Sequence, residues 1–168
     1  PQLIEKLREW GIADVTYFQI SDEPREAHLE SFKAAKESLG NLLDGFHTFD
    51  ALSSYEFYRH GLIDKPIPGN NEIEEFLAHG LTDMWTYYCT GQFYEVSNRF
   101  MSMPSARNRI YGVQLFKYDI IGILHWGYNF YNSKFSIEHI NPYEITDSDN
   151  AFPSGDPFLV YPGSDGHP

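Results

Sequence analysis

Two kinds of apolar spacing alternate along this chain, and that alternation restricts the fold more than any other feature. Residues 2–10 place Leu3, Ile4, Leu7 and Trp10 at helical intervals, and Gly11 stops the run. ADVTYFQI (13–20) then reads as a buried strand. Over 25–43, Leu29, Phe32, Ala35, Lys36, Leu39 and Leu43 form one stripe, with Pro24 near the first turn, so a helix is expected. FHTFDAL (46–52) is a second strand and SYEFYRHGL a short helix or turn. KPIPGN (65–70) is a weaker strand, because proline donates nothing to a ladder. NEIEEFLAHG is a helix with its stop glycine, and DMWTYYCTG (83–91) an aromatic strand. Residues 105–120 carry Ala106, Ile110, Val113 and Lys117 on one stripe, with Ser105 as N-cap. GILHWGYNFY (122–131) is a further strand, and after a polar segment PFLVYPG supplies one strand of a hairpin.

Strands alternating with helices predict an α/β fold with a parallel sheet, in a single domain over 1–168. An open doubly wound sheet and an eight-stranded (β/α)8 TIM-type barrel compete. No GxGxxG or Walker pattern follows a strand, which removes the usual nucleotide role of the open sheet. Polar and aromatic residues gather instead where strands end: Ser21-Asp22-Glu23, Asp50, Asn70-Asn71, Tyr87-Tyr88 and Trp126 to Tyr131. In a barrel these ends share the face that holds the active site.

Charge narrows the partners. The formal net charge is −12, from 24 acids against 12 Lys and Arg. Nucleic acid and anionic membranes both call for a basic patch, so neither is expected. No apolar run approaches the roughly 20 residues of a membrane span. Seven histidines (His28, His47, His60, His79, His125, His139, His167) form no HxH or HExxH pattern, and Cys89 stands alone, so no metal, cofactor or internal disulfide is expected. Cys89 reads as a buried structural residue. The chain starts at Pro1 rather than Met, so its natural start is expected upstream, and the compartment stays unknown.

Asp22-Glu23 admits two readings. Ser21 or Asp22 can cap the following helix while Glu23 complements its dipole. Alternatively both acids serve one site. Strand neighbours point to opposite faces, so the chain must then turn at this point, and Pro24 makes such a turn reasonable. Close carboxylates push their titrations apart, leaving one charged and one protonated, as general-acid chemistry needs. Tyr87 and Tyr88 at one strand end, and Trp126, Tyr128 and Asn129 near another, are candidates to shape a sugar pocket, since sugar C–H faces pack on aromatic rings. The same aromatics also make ordinary core. A two-carboxylate glycosidase using Glu23 with Asp50 or Glu95 stays open.

The runs YFQISDEP, YYCTGQFYEVSNRFMSMPSARNRIYGVQLFKYDIIGILHWGYNFYNS and AFPSGDPFLVYPG together resemble the catalytic domain of glycoside hydrolase family 123, formerly a domain of unknown function. The resemblance implies a (β/α)8 barrel and retaining exo-β-N-acetylgalactosaminidase activity. It also implies a substrate-assisted mechanism on an adjacent Asp-Glu pair at the end of the fourth strand, which Asp22 and Glu23 match. The substrate it implies is a carbohydrate with a terminal 2-acetamido sugar. YFQI would then be the fourth strand, and FHTF, KPIP, MWTYY and GILHW the fifth to eighth. The first three barrel strands and the preceding β-sandwich have no counterpart here. A fragment of a longer gene product is the favoured expectation, with self-association through open barrel edges as another. A non-catalytic glycan-binding or inactive partial barrel is the alternative from a different class.

Overall fold

The computed structural model describes residues 2–163, so His167 lies outside the described residues. The chain divides into two compact units. The first runs up to Tyr87 and takes in Asp119–Gly122; the second comprises Tyr88–Tyr118 and the chain from Ile123 onward.

The first unit opens with α1 (Gln2–Glu9), and Ile4 and Leu7 are its buried residues. They pack with Phe46, and Phe18 and Leu43 close over them. Leu3 and Trp10, expected on the same stripe, are exposed. Strand β1 (Tyr17–Gln19) is shorter than expected, because Ala13–Val15 winds into a 3-10 turn. The expected long helix is broken into three pieces. A 3-10 turn at Glu26–His28 leads into α2 (Leu29–Leu39), and Gly40, with φ +50, ends it in another 3-10 turn. Lys36 belongs on the apolar stripe for a physical reason: its ammonium donates to the Gly61 and Leu62 carbonyls at 3.1 and 2.8 Å. Its head meets two carbonyls that follow a short helix, the kind of group a helix end leaves for a side chain to satisfy.

Strands β2 (His47–Ala51) and β3 (Lys65–Ile67), with the short α3 (Glu56–Arg59) between them, continue a parallel sheet in the order β1-β2-β3. Gln19 pairs with Phe49, and Asp50 with Pro66. After α4 (Ile73–Ala78), β4 (Met84–Tyr87) lies beside β3 and pairs with β5 (Ile120–Leu124), whose first residues belong to this unit. The weak proline strand exists, and its prolines shape the seam to β4. Leu52 N–H donates to the Ile67 carbonyl, so Ile67 faces β2. Pro66 and Pro68 therefore present their donorless nitrogens to β4. Across that seam run Tyr87 N–H to Pro68 O at 3.1 Å, Asn70 N–H to Tyr87 O at 2.8 Å, and Thr86 Oγ1 to Pro68 O at 2.8 Å. It forms one parallel bridge, Gly69 to Tyr87, rather than a ladder. On one face of the sheet Tyr17 stacks on His47 and leans on Phe49 and Trp85. Gly122 admits the Trp85 indole, since a Cβ there would stand 2.5 Å from the ring.

The second unit contains α5 (Ser105–Lys117). Ser105 is its first helical residue, and Pro104 occupies the cap position. The expected stripe is the wrong face: Ile110 and Val113 are exposed, and Tyr111 is the buried residue. The Tyr111 ring meets Tyr88 edge-on at 5.0 Å. Strand β5 stops at Leu124, not at Tyr131. Beyond it the chain is irregular, and Asn129 makes an antiparallel bridge to Phe158. PFLVYPG therefore contributes a bridge and the bond from Leu159 N–H to Tyr128 O at 2.8 Å, rather than a full hairpin strand. Among the described residues no helix is long and apolar enough to cross a membrane.

Candidate active site

The turn after β1 is anchored from the neighbouring strand. The Ser21 amide donates to Asp50 Oδ2 at 3.0 Å, and Gln19 Nε2 donates to Asp50 Oδ1 at 3.4 Å. Asp50 sits near the end of β2 and is 0% exposed. Two residues past Ser21 the backbone enters the left-handed region at Glu23, with φ +45. Asp22 and Glu23 therefore escape the strict up-and-down alternation of a strand. Both are exposed. Helical turns begin only at Glu26, with Arg25 at the cap position and its amide bound to His28 Nδ1 at 3.2 Å. The helix-cap reading of Ser21 and Asp22 is thus not what the fold does with them.

Glu23 lines a cavity of about 340 Å³ at the ends of the strands. Glu26, Ser53, Ser54, Glu75 and Tyr87 share it. Ser54 Oγ donates to Glu26 Oε1 at 3.3 Å. Of the residues expected in the site, Glu23 and Tyr87 are thus brought to one cavity. Tyr87 reaches it as the last residue of β4, with Thr86 turned into the core beside it. Three carboxylates, Glu23, Glu26 and Glu75, stand against one guanidinium, Arg25, and that acidic balance favours a neutral, hydroxyl-rich ligand over an anion.

Burial drives the Asp50 carboxyl up from 3.8 to about 6. The Ser21 amide and Gln19 oppose that rise, and the charge of Asp22 adds to it. Because the folded state holds this proton more tightly than the unfolded chain, its contribution is fully present below about pH 4. It is lost as pH rises through about 6. The span corresponds to roughly 3 kcal/mol at most, at ~1.4 kcal/mol per pH unit. Asp50→Asn keeps the shape and the acceptor for Ser21. Urea unfolding of this variant is expected to show a flatter pH dependence of stability between pH 4 and 7 than the parent.

The other expected residues belong to the second unit. Tyr88 is buried, its ring against Tyr111 and His125. Burial pushes its hydroxyl upward, opposed by the Arg99 guanidinium. Trp126, 42% exposed, is held by its indole N–H, which donates to Asp156 Oδ2 at 2.9 Å, and by Phe152 and Phe130. Tyr128 and Asn129 are exposed. Glu95 is exposed on a loop with φ +56. Sequence reasoning missed Arg99 and Asp156. Arg99 donates to the carbonyls of Gly155, Asp156 at 2.9 Å and Phe158 at 2.9 Å, pinning that segment. Asp156 is 0% exposed and lies 3.5 Å from His125 Nε2. The available signal was a lone Arg and a lone Asp inside aromatic, turn-rich runs. Among the described residues no group of three or more His, Cys, Asp or Glu gathers as a metal site. Cys89 is half-buried.

Parallel strands alternating with helices define an α/β protein, and the acids beside the cavity at its strand ends mark a candidate site. The chain matches the family model "Glycoside hydrolase 123, catalytic domain" over residues 1–168, and it belongs to that family. Among solved structures it is similar to a family 123 glycoside hydrolase from Clostridium perfringens, described in a structural study of glycolipid glycan hydrolysis. The identity is 21%, and the TM-score of 0.65 covers 97% of this chain and 28% of that one. The chain thus spans about a quarter of that relative's length. Comparison with curated proteins found no match.

Proposed function

We propose that this chain carries the acid–base centre of a glycoside hydrolase acting on a terminal 2-acetamido sugar, as a retaining exo-β-N-acetylgalactosaminidase. The observation that supports this best is Glu23, next to Asp22 in the turn after β1, lining a cavity at the strand ends in a chain matched along its whole length by the family's catalytic domain. The five strands are read as the fourth to eighth of a (β/α)8 barrel within one domain of a longer protein. The remaining strands would come from outside these residues, or a second copy would cover the open edges.

In the proposed reaction the substrate's acetamido oxygen attacks the anomeric carbon, and the bond to the leaving oxygen breaks. Glu23, protonated, gives its proton to that oxygen. Asp22, ionised, accepts a hydrogen bond from the acetamido N–H and stabilises the positive charge of the oxazolinium-like intermediate. Water then attacks the same carbon, the bond from that carbon to the acetamido oxygen breaks, the water's proton goes to Glu23, and the configuration is retained. Tyr87 is proposed to shape the sugar pocket, because it lines the cavity with Glu23. A two-carboxylate pairing of Glu23 with Asp50 fits poorly, since Asp50 has no exposed surface for a sugar. The test is a panel of aryl β-glycosides offered to the full-length protein. Cleavage confined to 2-acetamido sugars supports the proposal. Glycan binding with no cleavage would assign a binding module instead, and equal cleavage of 2-hydroxy analogues a two-carboxylate enzyme.

A further inference from the structure

Asp50 takes no part in the steps above, yet it is the group that holds the turn from which Asp22 and Glu23 project. One of its oxygens accepts from Gln19 Nε2 and the other from the Ser21 amide, at the end of β1. Glu23 then adopts a positive φ that a non-glycine residue keeps only where its surroundings hold it.

We propose that Asp50 is the positioning residue of the Asp22-Glu23 pair, clamping the turn through Ser21 and Gln19. This rests on the reading of the pair as the catalytic centre. Because both oxygens accept, the geometry suits the carboxylate, and charge-assisted bonds are the stronger kind. Burial and the charge of Asp22 work against that form. Among the described residues, the charged groups of the packed strand β3 and its approach are engaged elsewhere. From β3, Pro66 stands in register with Asp50, and the Lys65 ammonium is engaged by Asp83 at 2.5 Å. Asp64 accepts from Thr48 N and Oγ1 at 2.9 and 2.7 Å. On β2 itself His47 stacks against Tyr17. Asp22 is the one charge on the turn that bears on Asp50. Protonating Asp50 near pH 6 therefore places a proton on an oxygen that now accepts, so either that bond weakens or the Gln19 amide turns its oxygen toward the proton.

The experiment uses the full-length protein with Asp50→Ala, Asp50→Asn and, as a control for the pair, Glu23→Gln. Asp50→Ala is expected to lower kcat/KM about 100-fold, the scale of an angstrom-sized misplacement. Asp50→Asn preserves the shape and serves if the alanine variant fails to fold. Parent kcat/KM is expected to rise through a limb near pH 6 that Asp50→Asn lacks. Carbon-13 NMR of the Asp22 carboxyl, measured without substrate, is expected to show a step near pH 6 in the parent that vanishes in Asp50→Asn. Full activity in Asp50→Ala, or an Asp22 resonance indifferent to Asp50→Asn, overturns the proposal. Full activity in Glu23→Gln overturns the catalytic reading of the pair separately, and the NMR step still decides whether Asp50 holds the turn.

Discussion

Glu23→Gln in the full-length protein is expected to lower turnover about 1,000-fold on glycosides with poor leaving groups, within the range that positioned proton transfer contributes. An amide cannot give up a proton, so the departing alkoxide leaves unprotonated. Substrates with good leaving groups, such as nitrophenyl glycosides, need little help at that bond and should lose far less in the first step. Asp22→Asn should behave differently. Its partner in the proposed chemistry is the acetamido group, which every substrate shares, so the loss should be similar across leaving groups. Steady-state kinetics over a series of aryl leaving groups separates the two patterns. A steep dependence on leaving-group acidity in Glu23→Gln, and none added in Asp22→Asn, is the expected pair of results.

The second large effect is on stability. Gly127→Ala is expected to cost about 3 kcal/mol or more, because the strain falls on backbone. A Cβ at Gly127 would stand 2.7 Å from the Pro157 carbonyl carbon, and closer still to its oxygen. That carbonyl also accepts the Phe130 N–H at 3.3 Å, and Asn129 bridges to Phe158. No rotamer can relieve the clash, so the 127–131 and 157–160 segments must part. For a chain of this size the loss corresponds to a fall in Tm of roughly 6–12 °C, at ~2–4 °C per kcal/mol, read by calorimetry.

The order of helices and strands along the chain could be read from local sequence, because each depends on spacing within about ten residues, whereas several strand ends could not. KPIP was legible as a strand in spite of its prolines. What the sequence left hidden is that both prolines face the same side and reduce the β3–β4 seam to one bridge. Helix α5 was found, but its face was not. Ala106, Ile110, Val113 and Lys117 satisfy helical spacing as well as the residues around Tyr111 do, and only tertiary contacts choose between the faces. GILHWGYNFY read as one strand because its residues favour strands. The ladder ends at Leu124, where Asp156 takes the Trp126 indole and Pro157 presses on Gly127.

The site shows the same division. Asp22 and Glu23 stood out as acids at a strand end. The job of Asp50 was not legible, because its contact with Ser21 spans 29 positions of chain. Asp156 and Trp126 are 30 positions apart and were hidden for the same reason.

Substrate assistance by the acetamido group is tested most directly by weakening that group. Aryl 2-acetamido-2-deoxy-β-galactosides bearing one, two and three fluorines on the acetyl methyl withdraw electron density from the attacking oxygen while barely changing size. The full-length protein is expected to lose kcat/KM steeply and progressively along the series. Rates that do not respond to fluorination, with the 2-hydroxy analogue cleaved equally well, would assign the bond-breaking step to an enzyme carboxylate instead.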